Sequence, residues 1–168
     1  MEFVLDVESD GPCPGKNSMI SFGIVALNDF SINFKGTMAP ISDIWLPDAL
    51  AVSSITREQH EAYPSPKITM LKFQTWIKQF PENHKLWSDN IAYDWMWIHY
   101  YQHIYLGQSY FGHSGRRIGD LHAGFKRNIK DQSGYKKWRM TKHTHDPLDD
   151  AIGNAEALNH LKKLINAT

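Results

Sequence analysis

The sequence predicts an α/β domain built on a mixed five-stranded sheet, with three antiparallel strands first and helices packed on its faces. Three observations predict it. Apolar runs of strand length crowd the segment between Phe3 and Gly36. Helical periodicity begins only after Pro66 and then alternates with short apolar runs. An apolar stripe at helical spacing runs from Leu148 to Ile165. Strands first, then helices alternating with strands, implies a sheet that buries helices against its faces.

Taken in order, residues 3–7 (FVLDV) read as a buried strand and residues 18–27 (SMISFGIVAL) as a second. Asn28-Asp29 turns the chain into a third strand at residues 30–36, which makes an antiparallel meander. The linker SDGPCPGKN between the first two strands is richer in Gly and Pro, and longer, than a tight hairpin needs. Over residues 39–66, Pro47, Pro64 and Pro66 interrupt any long element, leaving a loop with one short helix at 56–63. Residues 67–80 carry Ile68, Leu71, Phe73, Trp76, Ile77 and Phe80 at helical spacing, with Pro81 as the stop. HKLWSD reads as the fourth strand and AYDWMWIHYYQHIY as a helix so dense in aromatics that most of it should be buried. Residues 118–128 suggest a strand end followed by a short helix, and the basic stretch 132–145 a surface loop. In the last helix Asp146 suits the N-cap and Pro147 the first helical position, ahead of the stripe Leu148, Ala151, Ile152, Ala155, Leu158, Leu161 and Ile165.

The 168 residues, 42% hydrophobic and 21% charged, suit one folded domain spanning 1–168 and not a disordered chain. A net charge of zero gives no electrostatic evidence for a polyanionic partner. A basic stretch from Arg116 and Arg117 through Lys126, Arg127, Lys130, Lys136, Lys137, Arg139 and Lys142 still allows a polarised surface. The single cysteine, Cys13, excludes an internal disulfide. The start MEFVLDVE has neither the basic region nor the long apolar region of a secretion signal, and no run approaches the roughly 18 apolar residues that span a bilayer. A cytoplasmic protein with no membrane part is expected.

Chemistry enters with Asp6 and Glu8. Residues i and i+2 of a strand share a face, so these carboxylates project side by side, which is favourable only with a proton or a cation between them. Asp94 stands near the start of the aromatic helix. Asp149 and Asp150 fall in the first turn of the last helix, where the helix dipole accounts for one acid. Asp150 adjoins Ala151 on the apolar stripe and so should lie near the sheet, where an acid wants a cation. His145 precedes it by five residues.

The three pieces Asp6-Val7-Glu8, Asn90-Ile91-Ala92-Tyr93-Asp94 and His145-Asp146-Pro147-Leu148-Asp149-Asp150, in this order, resemble the D-x-E, N-x-x-aromatic-D and H-x-x-x-x-D motifs of the DEDDh family of 3′-to-5′ exonucleases. The compact size and the contexts LWSDNIAYD and HDPLDDA look most like the small bacterial and phage branch, which includes the mycobacterial adenylate-preferring exoribonuclease and phage T4 exonuclease A. The element order matches that family's ribonuclease H-like fold. The resemblance implies hydrolysis of single-stranded nucleic acid from its 3′ end, RNA favoured over DNA, with release of 5′-mononucleotides. It implies two divalent ions, Mg²⁺ or Mn²⁺, which oxygen-only ligands suit better than zinc. Asp6 would bridge both, Glu8 and Asp150 would complete one shell, and Asp94 would hold the second. His145 would be the general base, since a histidine exchanges its proton near neutral pH. Ser9, Asp10 and Gly11 would grip the terminal nucleotide, and Phe22 or Tyr93 would stack on a base. Many relatives pair as homodimers, which the surplus of aromatics would allow here. One departure stands out: relatives often carry His-Asn where this chain has Asp89-Asn90, and Asp89 is expected to face solvent.

Two other readings are weaker. His143-Thr144-His145-Asp146 resembles the start of the H-x-H-x-D-H run of dinuclear zinc hydrolases, but Leu148 stands where the final histidine is needed. A binding module with a degenerate site should have lost a ligand, yet all four acids and the histidine are present.

Overall fold

In the computed structural model, which describes residues 1–81 and 83–167, strand β1 (Glu2–Ser9) lies at the centre of a five-stranded sheet. The strand order is β3-β2-β1-β4-β5. β1 pairs antiparallel with β2 (Met19–Ala26), and β2 pairs antiparallel with β3 (Asp29–Thr37). β4 (Lys85–Ser88) runs parallel to β1, and β5 (Gly115–Arg117) parallel to β4. The mixed sheet with its antiparallel meander first is the architecture expected from the sequence.

All eight residues of β2 are buried, because helices cover both faces of the sheet. On one face α3 (Pro66–Ile77) and α4 (Ile91–Leu106) enclose Phe3, Leu5, Phe22, Phe73, Trp97 and Tyr101. On the other, α5 (Ile118–Phe125) and α6 (Pro147–Asn166) enclose Val4, Val25, Ile118, Tyr135, Ala155 and Leu158. The alternation along β1 therefore sends Phe3, Leu5 and Val7 into the first core and Val4, Asp6 and Glu8 toward α6.

Several elements differ from the sequence reading. Segment 39–66 holds two short helices, α1 (Pro47–Val52) and α2 (Arg57–Glu61). Pro47 starts α1 because the first helical position needs no N–H partner, and Thr56 with Gln59 forms a capping box on α2. The fifth strand lies just before residue 118. Its polar Gly-Arg-Arg pairs along one edge only and so shows no apolar alternation. Helix α4 buries Trp97, Ile98 and Tyr101 but leaves Trp95, Met96, His99 and Tyr100 half-exposed and His103 and Ile104 exposed. The stretch 132–145 is not all surface loop: a 3₁₀ helix, Gly134–Trp138, inserts Tyr135 fully into the α6 core. Asp89 does not face open solvent, since it accepts a 2.6 Å hydrogen bond from Tyr135 Oη and pairs with Lys136 Nζ at 2.7 Å. Burial alone would raise its pKa, but these two partners hold it below the usual carboxylate value. Among the described residues, no helix is long and apolar enough to cross a membrane.

Candidate active site

The candidate residues meet at the carboxyl ends of β1 and β4, where α4 and α6 begin. Asp6 and Glu8 project from β1, as strand periodicity requires. Asp94, in the first turn of α4, is buried; it accepts a 3.1 Å hydrogen bond from Val7 N on β1 and another from Ser88 Oγ at the end of β4. Asp150 is brought in by α6, whose N-cap Asp146 accepts from Leu148 N at 3.0 Å. That helix start lies directly on the sheet because Gly23, opposite Asp6 in the β1–β2 ladder, has no side chain. A Cβ there would stand 2.3 Å from Pro147 C and Leu148 N. Asp6, Glu8 and Asp150 consequently offer carboxylate oxygens that all lie within 4.8 Å of one another.

Crowding like charges into a shielded site raises their proton affinity. Burial, then the carboxylates of Asp94, Glu8 and Asp150, push Asp6 well above the usual range. Burial pushes Glu8 up to about 7, against the opposing hydrogen bond from Ser53 Oγ and the nearby His145. Burial likewise pushes Asp94 up to about 7, despite its bonds from Ser88 and Val7. An oxygen-only cluster that resists ionisation is the donor set that a hard divalent cation satisfies, so the residues present fit such ions.

His145 stands at the rim with Nδ1 3.7 Å from Glu8 Oε1. Its backbone is in the left-handed region, φ 60°, and its N–H donates to Asp150 Oδ2 at 3.1 Å. Asp150 Oδ1 accepts from Thr144 N at 3.2 Å and from Arg139 Nη2 at 2.9 Å, and His143 Nδ1 lies 2.7 Å from Asp150 Oδ2.

No model of a known protein family matches the sequence. The chain is, however, 30% identical to the 3′-5′ DNA exonuclease Cap18 of Escherichia coli, over 95% of its own length and 90% of that protein's. The chain belongs to the DEDDh family of 3′-to-5′ exonucleases. Solved structures agree on the ribonuclease H-like fold. The exonuclease superposes on cell-death related nuclease 4 with TM-score 0.77 at 16% identity, covering 97% of this chain and 64% of that one. It superposes on the nuclease domain of 3′hExo, a DEDDh family member bound to rAMP, with TM-score 0.73 at 14% identity, covering 98% and 92%. For Exonuclease X in complex with 5′ overhanging duplex DNA the TM-score is 0.68 at 15% identity, covering 100% and 95%.

Of the residues expected to touch a nucleotide, Ser9, Asp10, Gly11 and Phe22 are buried, and Tyr93 is half-buried. Phe22 is wholly buried, packed against Phe34 and Phe73, so its ring does not reach a base. Asp10 is also wholly buried: it accepts from Ser18 N at 2.5 Å and Arg57 Nη1 at 3.1 Å, and thus ties down the loop instead of facing a ligand. Gly11 is glycine because a Cβ would meet the Asn17 side chain at 2.4 Å. Ser9 Oγ donates to Gly11 O at 2.6 Å and meets the half-buried Tyr93 hydroxyl beside the carboxylates. Sequence reasoning missed Ser53 and Ser88, and it named Arg139 and His143 only as part of a basic stretch and of an incomplete H-x-H run, because the relevance of all four lies in what they contact. Gly23 did carry a signal, since glycine inside a strand often marks a close backbone approach.

Proposed function

We propose that this exonuclease shortens single-stranded DNA from its 3′ end, releasing 5′-mononucleotides. The observation that carries the catalytic reading is the gathering of Asp6, Glu8 and Asp150 oxygens within 4.8 Å of one another beside His145. Asp6 would serve two divalent cations, Mg²⁺ or Mn²⁺, with Glu8 and Asp150 completing one set of ligands and Asp94 contributing to the other. Such a pair of ions supplies a nucleophilic water, neutralises the phosphoryl oxygens and stabilises the departing 3′-oxygen.

The chain's own groups do the rest. His145 takes the proton of the attacking water, and Glu8, 3.7 Å from its Nδ1, steadies the resulting imidazolium. The bond from phosphorus to the 3′-oxygen of the penultimate nucleotide breaks, and that oxygen becomes the new 3′-hydroxyl on taking a proton from solvent. Tyr93, whose half-buried hydroxyl is held by that of the buried Ser9, would orient the terminal sugar.

The choice of DNA rests on the curated relative, a DNA exonuclease matched over nearly the whole of both chains. The branch resemblance in the motifs leans instead to RNA. Matched 5′-labelled single-stranded DNA and RNA, incubated with Mg²⁺, Mn²⁺ or excess EDTA, test both points. The expected result is a ladder of single-nucleotide steps on DNA and none in EDTA. A ladder on RNA alone would replace the substrate, and equal digestion in EDTA would remove the metal reading.

A further inference from the structure

We propose that the exonuclease carries a second, nitrogen-rich cation site, formed by His143, His145 and Asp150, which takes Zn²⁺ and switches hydrolysis off. This inference rests on the reading of His145 and Asp150 as catalytic groups.

Each of these three residues offers one ligand atom, and the three atoms lie within 4.8 Å of one another. The two imidazole rings are 4.3 Å apart at 63°. Their placement is built into the loop: Asp150 accepts the backbone N–H groups of both Thr144 and His145, at 3.2 and 3.1 Å, and this holds His145 in its left-handed conformation beside His143. Arg139 takes Asp150 Oδ1, which leaves Oδ2, 2.7 Å from His143 Nδ1, as the oxygen facing the rings. The histidine side chains are 54% and 43% exposed, so an ion arrives from solvent without unfolding anything.

Two imidazoles and a carboxylate are a ligand set that zinc accepts, with one position left for water. Nitrogen donors favour Zn²⁺ over Mg²⁺, whereas Asp6 and Glu8 offer oxygen alone. The two triads share Asp150. An ion held by the histidines therefore draws Asp150 away from the oxygen cluster and occupies the ring that would accept the water's proton. The His-x-His pair that fails to complete a zinc hydrolase motif gains a use here as an inhibitory site.

The full-length protein, stripped of metal, is titrated with Zn²⁺ by calorimetry in excess Mg²⁺, alongside His143→Ala, His143→Gln and Asp6→Asn. Removing even an outer partner of a metal ligand costs about 10–100-fold in affinity, so loss of a ligand predicts at least about 100-fold weaker zinc binding in both His143 variants. Asp6→Asn should bind zinc as the parent does. In parallel, the Zn²⁺ concentration that halves hydrolysis, scaled to each variant's own activity in Mg²⁺, should rise in step for both His143 variants. Zinc binding lost in Asp6→Asn but kept in the His143 variants would place the ion in the oxygen cluster and overturn the proposal, as would zinc that binds the histidines and leaves hydrolysis unchanged. If the protein hydrolyses no oligonucleotide at all, the proposed function fails, while the calorimetry still decides the site.

Discussion

Asp94 and Asp150 occupy equivalent positions: each is buried in the first turn of a helix that starts beside β1, and each accepts hydrogen bonds on both carboxylate oxygens. Their partners differ. Asp94 is held by two neutral donors, Val7 N and Ser88 Oγ, and burial pushes it up to about 7. Asp150 has a guanidinium on one oxygen and the His143 ring 2.7 Å from the other, besides two backbone N–H groups. The α6 side of the site thus carries its own countercharge, while the β1–α4 side, with Asp6 and Asp94, would take its cation from outside under the proposed function.

The largest effect should come from the uncompensated side. Under the proposed function Asp6→Asn removes an acid that would hold the ions, whose transition-state charge stabilisation is worth several kcal/mol, so hydrolysis should fall about 10³-fold. The same change relieves repulsion, so in EDTA the variant should melt higher than the parent. A lower melting temperature would show that the carboxylates are already balanced.

On the compensated side, Arg139→Met strands the charge of Asp150. The pair is buried, with side chains 10% and 1% exposed, and breaking such a pair by removing one partner costs about 3–5 kcal/mol. Urea denaturation measures it, and adding Asp150→Asn should recover part of the loss. An unchanged midpoint would mean that water replaces the guanidinium.

The pH dependence distinguishes the two sides next. Glu8 and Asp94 sit at about 7 in the folded protein against ordinary values of 4.5 and 3.8. The folded state therefore binds more protons than the unfolded one between these values, so this contribution to stability is present in acid and lost as pH rises through 7. Melting of the metal-free protein should fall accordingly, and Mg²⁺ or Mn²⁺ should raise the melting temperature more at about pH 8 than at about pH 5. A cation effect that does not grow with pH would break the comparison. The smallest change is Ser88→Ala, which removes one of the two donors to Asp94 and should cost about 1–3 kcal/mol in the same denaturation assay.

Much of the frame was legible because its signals are local. The strand run around Phe22, the helical stripe through Ala155 and Leu158, and the N-cap at Asp146 depend on residues within a few positions of one another. Tyr135 was not legible: followed by Lys136 and Lys137 in a polar stretch it reads as surface, and only α6 and Asp89, distant in sequence, make it core. Phe22 and Asp10 mislead for the same reason, since neither an aromatic ring in a strand nor an acid just after Glu8 shows which face of the sheet or loop it occupies.

By itself the sequence determined that Asp6 and Glu8 share a face, because a strand repeats every two residues, and that Asp150 turns inward, because it adjoins a helical apolar stripe. Tertiary structure alone decided how close the acids come and what balances them. Gly23 lets the start of α6 rest on the sheet, and the segment anchored by Tyr135 delivers Arg139 and His143 to Asp150. Those contacts join residues whose placement follows from packing between distant segments, and packing of that kind leaves no periodic trace in the chain.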